Sequence, residues 1–534
     1  MPTLPRFLVA RLAAASLVIL PSVARAQATR ADSATRPTLV VLITVDQLRG
    51  DYYDRFRPQL HEGLARLYEH GAVFTNAHQD HGVTETAPGH ASTLSGRFPR
   101  GTGIVMNAAG VGDPQAPLVG GGGPGASPFR FRGSTLTDWM RLHDPRTRAL
   151  SVSRKDRGAI LPIGRPVQDV YWYASDGRFT TSTYYADTLP DWVKAFNARH
   201  LPQSYAGRSW TPLLPDSAYA EPDSVPQESN GREYAFPHVL SSDPAQAAGD
   251  IIGFPWMDDL IADAALAGVQ AMQLGDGPET DVLAVSFSTT DAVGHRFGPD
   301  SRELHDQILR LDRVIGRFLD SLFTLRDSSR VLVALTADHG VTPLPGVRSH
   351  DAGNGEGHFV SLRPLLLHTD SALQRRGVPA GAIDADGSVI FLDRPALARA
   401  GVPADSVMAA VLAAARRIPG VARAETWQQL SRADTVHDDV ARRWLHMYPP
   451  DLAPDGVVTL EPFSILGTGS SFHHGSPHDT DTHVPVVFYG PAFATGRFDR
   501  YARVVDIAPT LAAVLGVPPT EPLDGRVLEE ALKR

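Results

Sequence analysis

A threonine in the stretch 81–95, HGVTETAPGHASTLS, is placed as a candidate nucleophile. Thr86 comes just before Pro88-Gly89 and a helix-like run. Its hydroxyl is therefore expected at a helix N-terminus, where the helix dipole favours negative charge. A threonine hydroxyl becomes a good nucleophile only when a base or a metal ion activates it. The rest of the chain must supply that activation.

Acidic and histidine residues lie next to several segments that are predicted to be buried strands. They are Asp46 after the apolar run 38–45, Asp291 with His295 after 282–287, Asp338 with His339 after 331–336, and a histidine cluster at 473–483 before the run 484–489. Each pair alone also fits a helix cap or a surface ion pair. Together, Asp and His without cysteine suit divalent metals such as zinc. A set of this size with a hydroxyl suits two metal ions, one of which can activate Thr86.

Strand-like and helix-like segments alternate along the chain. The run TLVVLITV at 38–45 is apolar and β-branched, which is typical of a strand buried on both faces of a parallel sheet. Apolar residues at a spacing of three to four predict a long amphipathic helix over 304–322. The alternation predicts an α/β fold with a mostly parallel central sheet flanked by helices, with two insertions forming a cap or subdomain. Open sheets of this kind bind ligands at the carboxyl ends of their strands.

The N-terminus has the pattern of a secretory signal. Arg6 and Arg11 precede the apolar run 12–20, and Ala24-Arg25-Ala26 fits a cleavage site after Ala26. An uncleaved anchor helix is the alternative, but the run is short for a bilayer. No later stretch is apolar enough to span a membrane. We therefore expect a periplasmic or secreted protein without a membrane span after cleavage, and a monomer.

Composition excludes some classes of function. The 534 residues carry a net charge of −9, which gives no electrostatic case for a nucleic-acid-binding surface. There is no cysteine, so disulfides, thiolate metal sites and cysteine nucleophiles are absent from the chain. The predicted organisation is a signal peptide at 1–26, a linker at 27–36, catalytic core at 37–107, 251–345 and 471–534, and insertions at 108–250 and 346–470.

Several motifs carry a resemblance to a known family. They are VDQ at 45–47, TETAPGH at 84–90, SRKDR at 153–157, TTSTYY at 180–185, TTDAVGH at 289–295, ADHG at 337–340, HG at 474–475, DTHVP at 481–485 and DIAPT at 506–510. In this order they resemble the alkaline phosphatase superfamily, and most closely its periplasmic PafA-type alkaline phosphatases with a threonine nucleophile. These are related to the nucleotide pyrophosphatases/phosphodiesterases. The resemblance spans about residues 38 to 515.

The resemblance implies a site with two zinc ions. One would be held by Asp46, Thr86, Asp338 and His339, and the other by Asp291, His295 and His474. Thr86 would become phosphorylated and then be released by hydrolysis, and Asn107 would donate a hydrogen bond to a phosphoryl oxygen. His473 and His483 are alternatives to His474 as the last ligand. The role of the insertion 346–470 is left open.

Lys155 and Arg157 bear on the substrate class. A phosphate monoester carries two negative charges on its non-bridging oxygens, whereas a diester carries one. Alternate residues of an extended segment point the same way, so both cations are expected to reach one phosphoryl group. In the family this pair marks monoesterases. The chain is therefore expected to act on small-molecule phosphate monoesters.

Three alternatives remain from the sequence. The first is a phosphodiesterase or nucleotide pyrophosphatase on the same scaffold. The second is a sulfatase, but the chain lacks the cysteine and the C/S-x-P-x-R motif that sulfatase chemistry needs. The third is a non-catalytic exported metal-binding protein, which predicts a missing ligand or nucleophile.

Overall fold

The apolar run near the start of the chain forms the middle strand of a nine-stranded sheet. This computed structural model describes residues 36–121, 123–347, 357–467 and 471–533. The predicted signal peptide and the linker up to residue 35 lie outside the described residues. Residues 37–534 form one compact unit. Strand β1 (Leu39–Val45) is fully buried, as its continuous apolar sequence predicts.

The main sheet is mixed, with a parallel centre. Its strands are β1, β2 (Ala72–Phe74), β3 (Ala149–Ser153), β4 (Asp169–Tyr173), β5 (Phe179–Thr180), β6 (Asp281–Phe287), β7 (Val331–Thr336), β12 (Val486–Tyr489) and β13 (Gly496–Phe498), in the spatial order β13-β2-β12-β7-β1-β6-β3-β4-β5. Strands β7, β1, β6, β3 and β4 pair in parallel. Strand β12 is antiparallel to both of its neighbours, and β5 is antiparallel to β4. The predicted α/β class and its largely parallel sheet are confirmed.

Helices flank this sheet and build much of the rest of the molecule. Those of seven or more residues are α1 (Gly63–His70), α2 (Thr86–Ser95), α3 (Leu136–His143), α4 (Asp156–Ile163), α5 (Asp191–Asn197), α6 (Pro244–Asp250), α7 (Trp256–Ala271), α8 (Thr289–Phe297), α9 (Arg302–Leu325), α10 (Arg363–Gln374), α11 (Ala404–Ala415), α12 (Asp439–Leu445) and α13 (Ile507–Leu515). Helix α9 contains the amphipathic pattern predicted over 304–322. No helix among the described residues combines the length and the apolar character needed to cross a membrane.

The segment 108–250 differs from its expected form as an insertion folded over the core. It contributes β3, β4 and β5 to the main sheet, next to β6. These strands are short and mix serine, tyrosine and tryptophan with aliphatic residues, so they lack the apolar run that marks β1. All five residues of β3 are nevertheless buried. The loops and short helices of the segment lie around this added half of the sheet.

Residues 357–467 build a second, smaller sheet. Its strands are β8 (Ile383–Asp386), β9 (Val389–Leu392), β10 (Val421–Thr426) and β11 (Gly456–Leu460), in the order β8-β9-β11-β10. Helices α10 and α11 pack on this sheet around an apolar cluster of their own that includes Val411, Leu412 and Val458. A separate core of this kind is consistent with the subdomain predicted at 346–470.

Candidate active site

Four charged residues follow four adjacent parallel strands of the main sheet. Asp46 follows β1 directly, Asp338 lies two residues after β7, Lys155 two residues after β3, and Asp291 four residues after β6. Because parallel strands present their carboxyl ends at one edge, these side chains converge. The three buried carboxylates among the strand-end residues therefore lie together at this edge, and Lys155, which was not predicted to be among them, joins them.

The first group contains Asp46, Asp338 and His339. Their candidate ligand atoms lie within 4.8 Å of one another, and all three residues are buried. Nε2 of His339 lies 3.5 Å from Oδ1 of Asp46 and 3.6 Å from Oδ2 of Asp338. Nδ1 of His339 donates to the carbonyl oxygen of Gly340 at 2.9 Å, which turns the lone pair of Nε2 toward the two carboxylates.

The second group contains Asp291, His295 and His474, again within 4.8 Å. Nδ1 of His295 donates to the Phe472 carbonyl at 2.6 Å, and Nδ1 of His474 donates to the Thr84 carbonyl at 2.7 Å. When both rings are neutral, both Nε2 atoms carry lone pairs, and they lie 3.2 Å apart. Burial favours the neutral form of His295, but Asp291 outweighs burial and raises the pKa of His295. The repulsion between the facing lone pairs is therefore relieved by a proton on His295 or by a bound cation.

Of the three alternative last ligands, the structure brings His474 into this group. The ring of His473 packs edge-on against His295 with centroids 5.8 Å apart. Nε2 of His483 lies 2.9 Å from the carbonyl oxygen of Thr75, away from both groups.

The donor sets fit divalent metal ions. Oδ1 of Asp46 and Nε2 of His339 are buried without a hydrogen-bond partner among the described residues. Leaving such groups unpaired in a protein interior is costly, and a coordinated cation removes that cost. Carboxylates and imidazoles without thiolates are ligands of zinc and similar borderline metals. Either group can therefore bind a metal ion.

Thr86 is the first residue of helix α2, as its sequence position predicts. The residue is 1% exposed, and its Oγ1 lies 3.2 Å from Nζ of Lys155. Close packing brings α2 to the strand ends: a Cβ at Gly89 would lie 2.3 Å from the Asp338 carbonyl oxygen. His90, one turn into α2, has Nδ1 2.9 Å from the Thr86 carbonyl and 3.2 Å from Oδ2 of Asp338. It therefore ties the threonine backbone to the first group.

Lys155 lies between the two groups. Its Nζ is 2.6 Å from Oδ2 of Asp46 and 2.7 Å from Oδ2 of Asp291. The prediction from alternating side chains assumed that the segment is extended through Arg157. It is not. Lys155 has extended backbone angles but caps helix α4, so Arg157 falls in the first helical turn.

Arg157 consequently points elsewhere. Its guanidinium lies 3.6 Å from the carboxylate of Asp156, and its side chain is 29% exposed. In this conformation the two cations do not converge, because the helix begins between them, and their joint contact with a phosphoryl group stays a prediction. Lys155 reaches Thr86, whereas no hydrogen bond or ion pair joins Arg157 to Thr86 in the described part of the chain.

Asn107 lies beside Thr86. Its Oδ1 accepts a hydrogen bond from the backbone N–H of Ala87 at 2.9 Å, and its own N–H donates to Oε2 of Glu85 at 2.6 Å. With Oδ1 used in this way, the side-chain amide N–H groups are its remaining donors. The residue is thus tied to both neighbours of Thr86.

The carboxylates differ in their affinity for protons. Burial, followed by the charges of Asp291 and Asp338, raises the pKa of Asp46 to about 6. Burial also disfavours the charged form of Asp291, but Lys155 and His295 outweigh it and hold the pKa of Asp291 well below its ordinary value. Burial, with the neighbouring His339 and His295, holds the pKa of His474 well below its ordinary value, so this imidazole is neutral. Neutral imidazole is the form that binds metals.

Sequence reasoning did not assign Gln47 a role. Its backbone N–H donates to Oδ1 of Asp338 at 3.1 Å, and its Nε2 donates to Oδ1 of Asp291 at 3.2 Å. The residue therefore links the two groups. Its φ of 67° is rare for a side-chain-bearing residue and sets this double contact. The only sequence signal was its position directly after Asp46, within the VDQ motif.

Comparison with known proteins places this site in a family. Residues 40–354 match the family described as type I phosphodiesterase / nucleotide pyrophosphatase. The chain is 31% identical to alkaline phosphatase PhoV of Synechococcus elongatus, over 93% of each chain. It is 28% identical to alkaline phosphatase PafA of Elizabethkingia meningoseptica, over 95% of this chain and 96% of that one.

A solved structure agrees with these relatives. The crystal structure of wild-type alkaline phosphatase PafA superposes with a TM-score of 0.85 at 28% identity, over 93% of this chain and 99% of that chain. The resemblance drawn from the motifs is thereby confirmed. The chain belongs to the type I phosphodiesterase / nucleotide pyrophosphatase family and, within it, to the alkaline phosphatases of the PafA and PhoV type, and it is a phosphoric ester hydrolase.

Proposed function

We propose that this protein is an exported alkaline phosphatase that hydrolyses phosphate monoesters through a phosphothreonine intermediate at a two-zinc site and releases inorganic phosphate. The observation that carries the proposal is the position of Lys155. Its ammonium group lies within 3.2 Å of the Thr86 hydroxyl and between the two metal-ligand groups. A nucleophile, a phosphate-binding cation and two metal sites therefore share one edge of the sheet.

The first ion would be held by Asp46, Thr86, Asp338 and His339, and the second by Asp291, His295 and His474. Bound there, zinc would lower the pKa of the Thr86 hydroxyl and offset negative charge on the leaving oxygen. The donor chemistry of both groups supports this assignment, as argued above.

The protein's own groups divide the remaining work. Oγ1 of Thr86 forms a bond to phosphorus while the bond to the leaving alcohol breaks, and water then cleaves the phosphothreonine. Lys155 donates to Oγ1 and places positive charge where the phosphoryl group arrives. Asn107 offers amide donors beside Thr86, and the N-terminus of α2 adds its dipole. Each of these groups favours the charge of the transition state.

Monoester specificity rests on Lys155 with Arg157. A cation beside Thr86 suits a phosphoryl group with two negative charges better than a diester with one. Arg157 would join it by a change of side-chain rotamer, since its charge already acts on Glu85, the residue before Thr86, and its side chain is part-exposed. The alternative is a phosphodiesterase or nucleotide pyrophosphatase, which the description of the matched family names.

The two activities are separated by one comparison on purified mature protein. We expect kcat/KM for p-nitrophenyl phosphate to exceed that for its methyl diester by at least about a hundredfold, because one non-bridging charge is lost. A preference for the diester would establish the alternative. Metal content measured on the same sample tests for two zinc ions.

The nucleophile is tested by Thr86→Ala, with Thr93→Ala as the control on the same helix. We expect loss of phosphatase activity by about a thousandfold or more in the first variant only. Acid quenching of the wild type should trap phosphate on Thr86, detected by mass spectrometry. Thr86→Ala activity within a few fold of wild type would contradict the mechanism.

Export follows from the sequence of residues 1–26. Expression of the full chain in a bacterial host should yield periplasmic protein that begins at Gln27. Replacing Leu17 and Leu20 by Asp should keep the uncleaved chain in the cytoplasm. A mature protein that retains Met1 in the periplasm would support an anchor instead.

A further inference from the structure

A cavity of about 160 Å³ opens beside the nucleophile, between the main sheet and the smaller one. From the core it is lined by Glu85, the residue before Thr86, and by His474. From the other side it is lined by Asp386, at the end of β8, and by Tyr448. It thus joins the proposed catalytic groups to the subdomain that the catalytic steps leave without a role.

The polar lining of this cavity is acidic. Its carboxylates belong to Glu85, Asp386 and Asp481, none of which is in a metal-ligand group. Asp481 is fully buried and bonded to Thr342 and Ser476, so Glu85 and Asp386 remain to contact a ligand. No lysine or arginine lines the cavity within the described ranges. Glu85 is part-buried, with Oε2 accepting from the Asn107 N–H, whereas Asp386 is exposed at the cavity mouth. Glu85 and Asp386 therefore place carboxylates on two sides of the cavity wall.

Tyr448 supplies a second, independent feature. It is 4% exposed, and its hydroxyl is buried without a hydrogen-bond partner in the described part of the chain. A buried phenol hydroxyl normally has a hydrogen-bond partner, so the Tyr448 hydroxyl is expected to bond to a group of a bound ligand. The electron-rich ring face also attracts cations. Apolar side chains, among them Met106 and Leu460, complete the wall and suit a short hydrocarbon.

The cavity also lies where a leaving group would go. In an in-line displacement the leaving oxygen departs on the side opposite the nucleophile. Thr86 is tied to the Asp46 group through His90, whose Nδ1 reaches both the Thr86 carbonyl and Asp338, and His474 belongs to the other group. Because His474 also lines the cavity, an alcohol departing on that side enters it. The volume limits this alcohol to a small one.

We propose, on the basis of the proposed monoesterase function, that this cavity receives the leaving group and selects small alcohols that carry an ammonium group. The carboxylates of Glu85 and Asp386 and the ring of Tyr448 would contact the ammonium. Anionic leaving groups would be repelled by the same carboxylates.

Three phosphates of similar size test the proposal: phosphoethanolamine, 2-hydroxyethyl phosphate and phosphoglycolate. We expect kcat/KM to fall in that order, with about tenfold or more between the first and the last. In Asp386→Asn, the ratio of phosphoethanolamine to 2-hydroxyethyl phosphate should fall about threefold to fivefold. Intrinsic differences between the substrates cancel in this comparison of variants.

Asp384→Asn is the matched control, since Asp384 lies two residues away on β8 and lines a different cavity. It should keep the wild-type ratio. An unchanged ratio in Asp386→Asn, or equal rates on all three substrates in the wild type, would overturn the proposed selectivity. The proposed monoesterase function would still stand if p-nitrophenyl phosphate were hydrolysed. Failure to hydrolyse p-nitrophenyl phosphate as well would instead overturn the proposed function.

Discussion

Nε2 of His474 lies 3.2 Å from Nε2 of His295, with both opposite ring nitrogens bonded to backbone carbonyls. The two lone pairs face each other, and Asp291 adds a carboxylate oxygen 3.2 Å from Nε2 of His295. The backbone therefore holds the rings in an arrangement that needs either a proton on His295, whose pKa Asp291 raises against the effect of burial, or a bound metal ion. This relationship makes metal binding the most direct property to measure.

His474→Ala should remove one of two bound metal ions. We expect metal content, measured by plasma mass spectrometry, to fall by about one ion per chain, and kcat to fall by at least about a hundredfold. His473→Ala is the control, because its ring lies outside the group, and it should retain both ions. Equal loss in the two variants would refute the assignment of His474.

Lys155→Ala should reduce monoesterase activity more than diesterase activity. Removing the ammonium group also leaves Asp46 and Asp291 without a neighbour that offsets their charge. We expect kcat/KM for an aryl monoester to fall by about 10² to 10³, and that for the methyl diester by about tenfold or less. Lys194, an exposed lysine paired with Asp191, provides the control Lys194→Ala. A uniform loss on both substrates would assign Lys155 a structural role only.

Gly89→Ala should separate helix α2 from the strand ends. The added Cβ would lie 2.3 Å from the backbone oxygen of Asp338, and neither backbone can yield without moving Thr86. We expect the free energy of unfolding to fall by about 1–3 kcal/mol, and kcat to lose a larger fraction of its wild-type value than the free energy of unfolding does. Gly112→Ala, where a Cβ would have no neighbour within 4 Å, should change neither. Denaturant unfolding and steady-state kinetics measure the two effects, and wild-type kcat in Gly89→Ala would contradict the close-packing argument.

Asp258→Asn should stabilise the protein at high pH. The carboxylate is buried beneath α8, where it accepts from the Thr289 hydroxyl at 2.8 Å and from Nε2 of Gln307 at 2.9 Å. Burial raises its pKa from 3.8 to about 7. The folded state therefore binds this proton more tightly than the unfolded state, and stability is lost as pH rises from about 4 to about 7.

Asparagine removes that pH-dependent cost. We expect the variant to gain about 2 kcal/mol more relative to wild type at pH 8 than at pH 5, measured by urea unfolding. Asp191→Asn, at an exposed carboxylate, should show no such difference between the two pH values. A gain that is equal at pH 5 and pH 8 would argue against a raised pKa.

The parts of the site that sequence patterns predict are those tied to strong local signals. Asp46 follows a run of seven buried apolar residues, and Thr86 precedes a proline and glycine that open a helix. The position of such residues is set by the strand or helix beside them. The α/β class, the buried strand at 38–45 and the position of acidic and histidine residues at the strand ends were therefore predictable.

The parts that were missed depend on tertiary context. Strands β3 to β5 are short and part-polar, so their place in the sheet follows from pairing with β6 rather than from their own pattern. Lys155 and Arg157 diverge because a helix starts between them, on a sequence with no cap signal. The role of Gln47 depends on a positive φ and on carboxylates that are distant in the chain.

The ends of four adjacent strands set the spacing between the charged groups of Asp338, Asp46, Asp291 and Lys155. Neighbouring strands lie about 4.8 Å apart, and the backbone hydrogen bonds of the sheet fix that pitch. The hydrogen-bonded sheet, which is the most rigid part of the molecule, therefore determines the distances between these charges. A relative could exchange one of these side chains, and so change the charge it presents to a substrate, while the spacing of the remaining three stayed as it is.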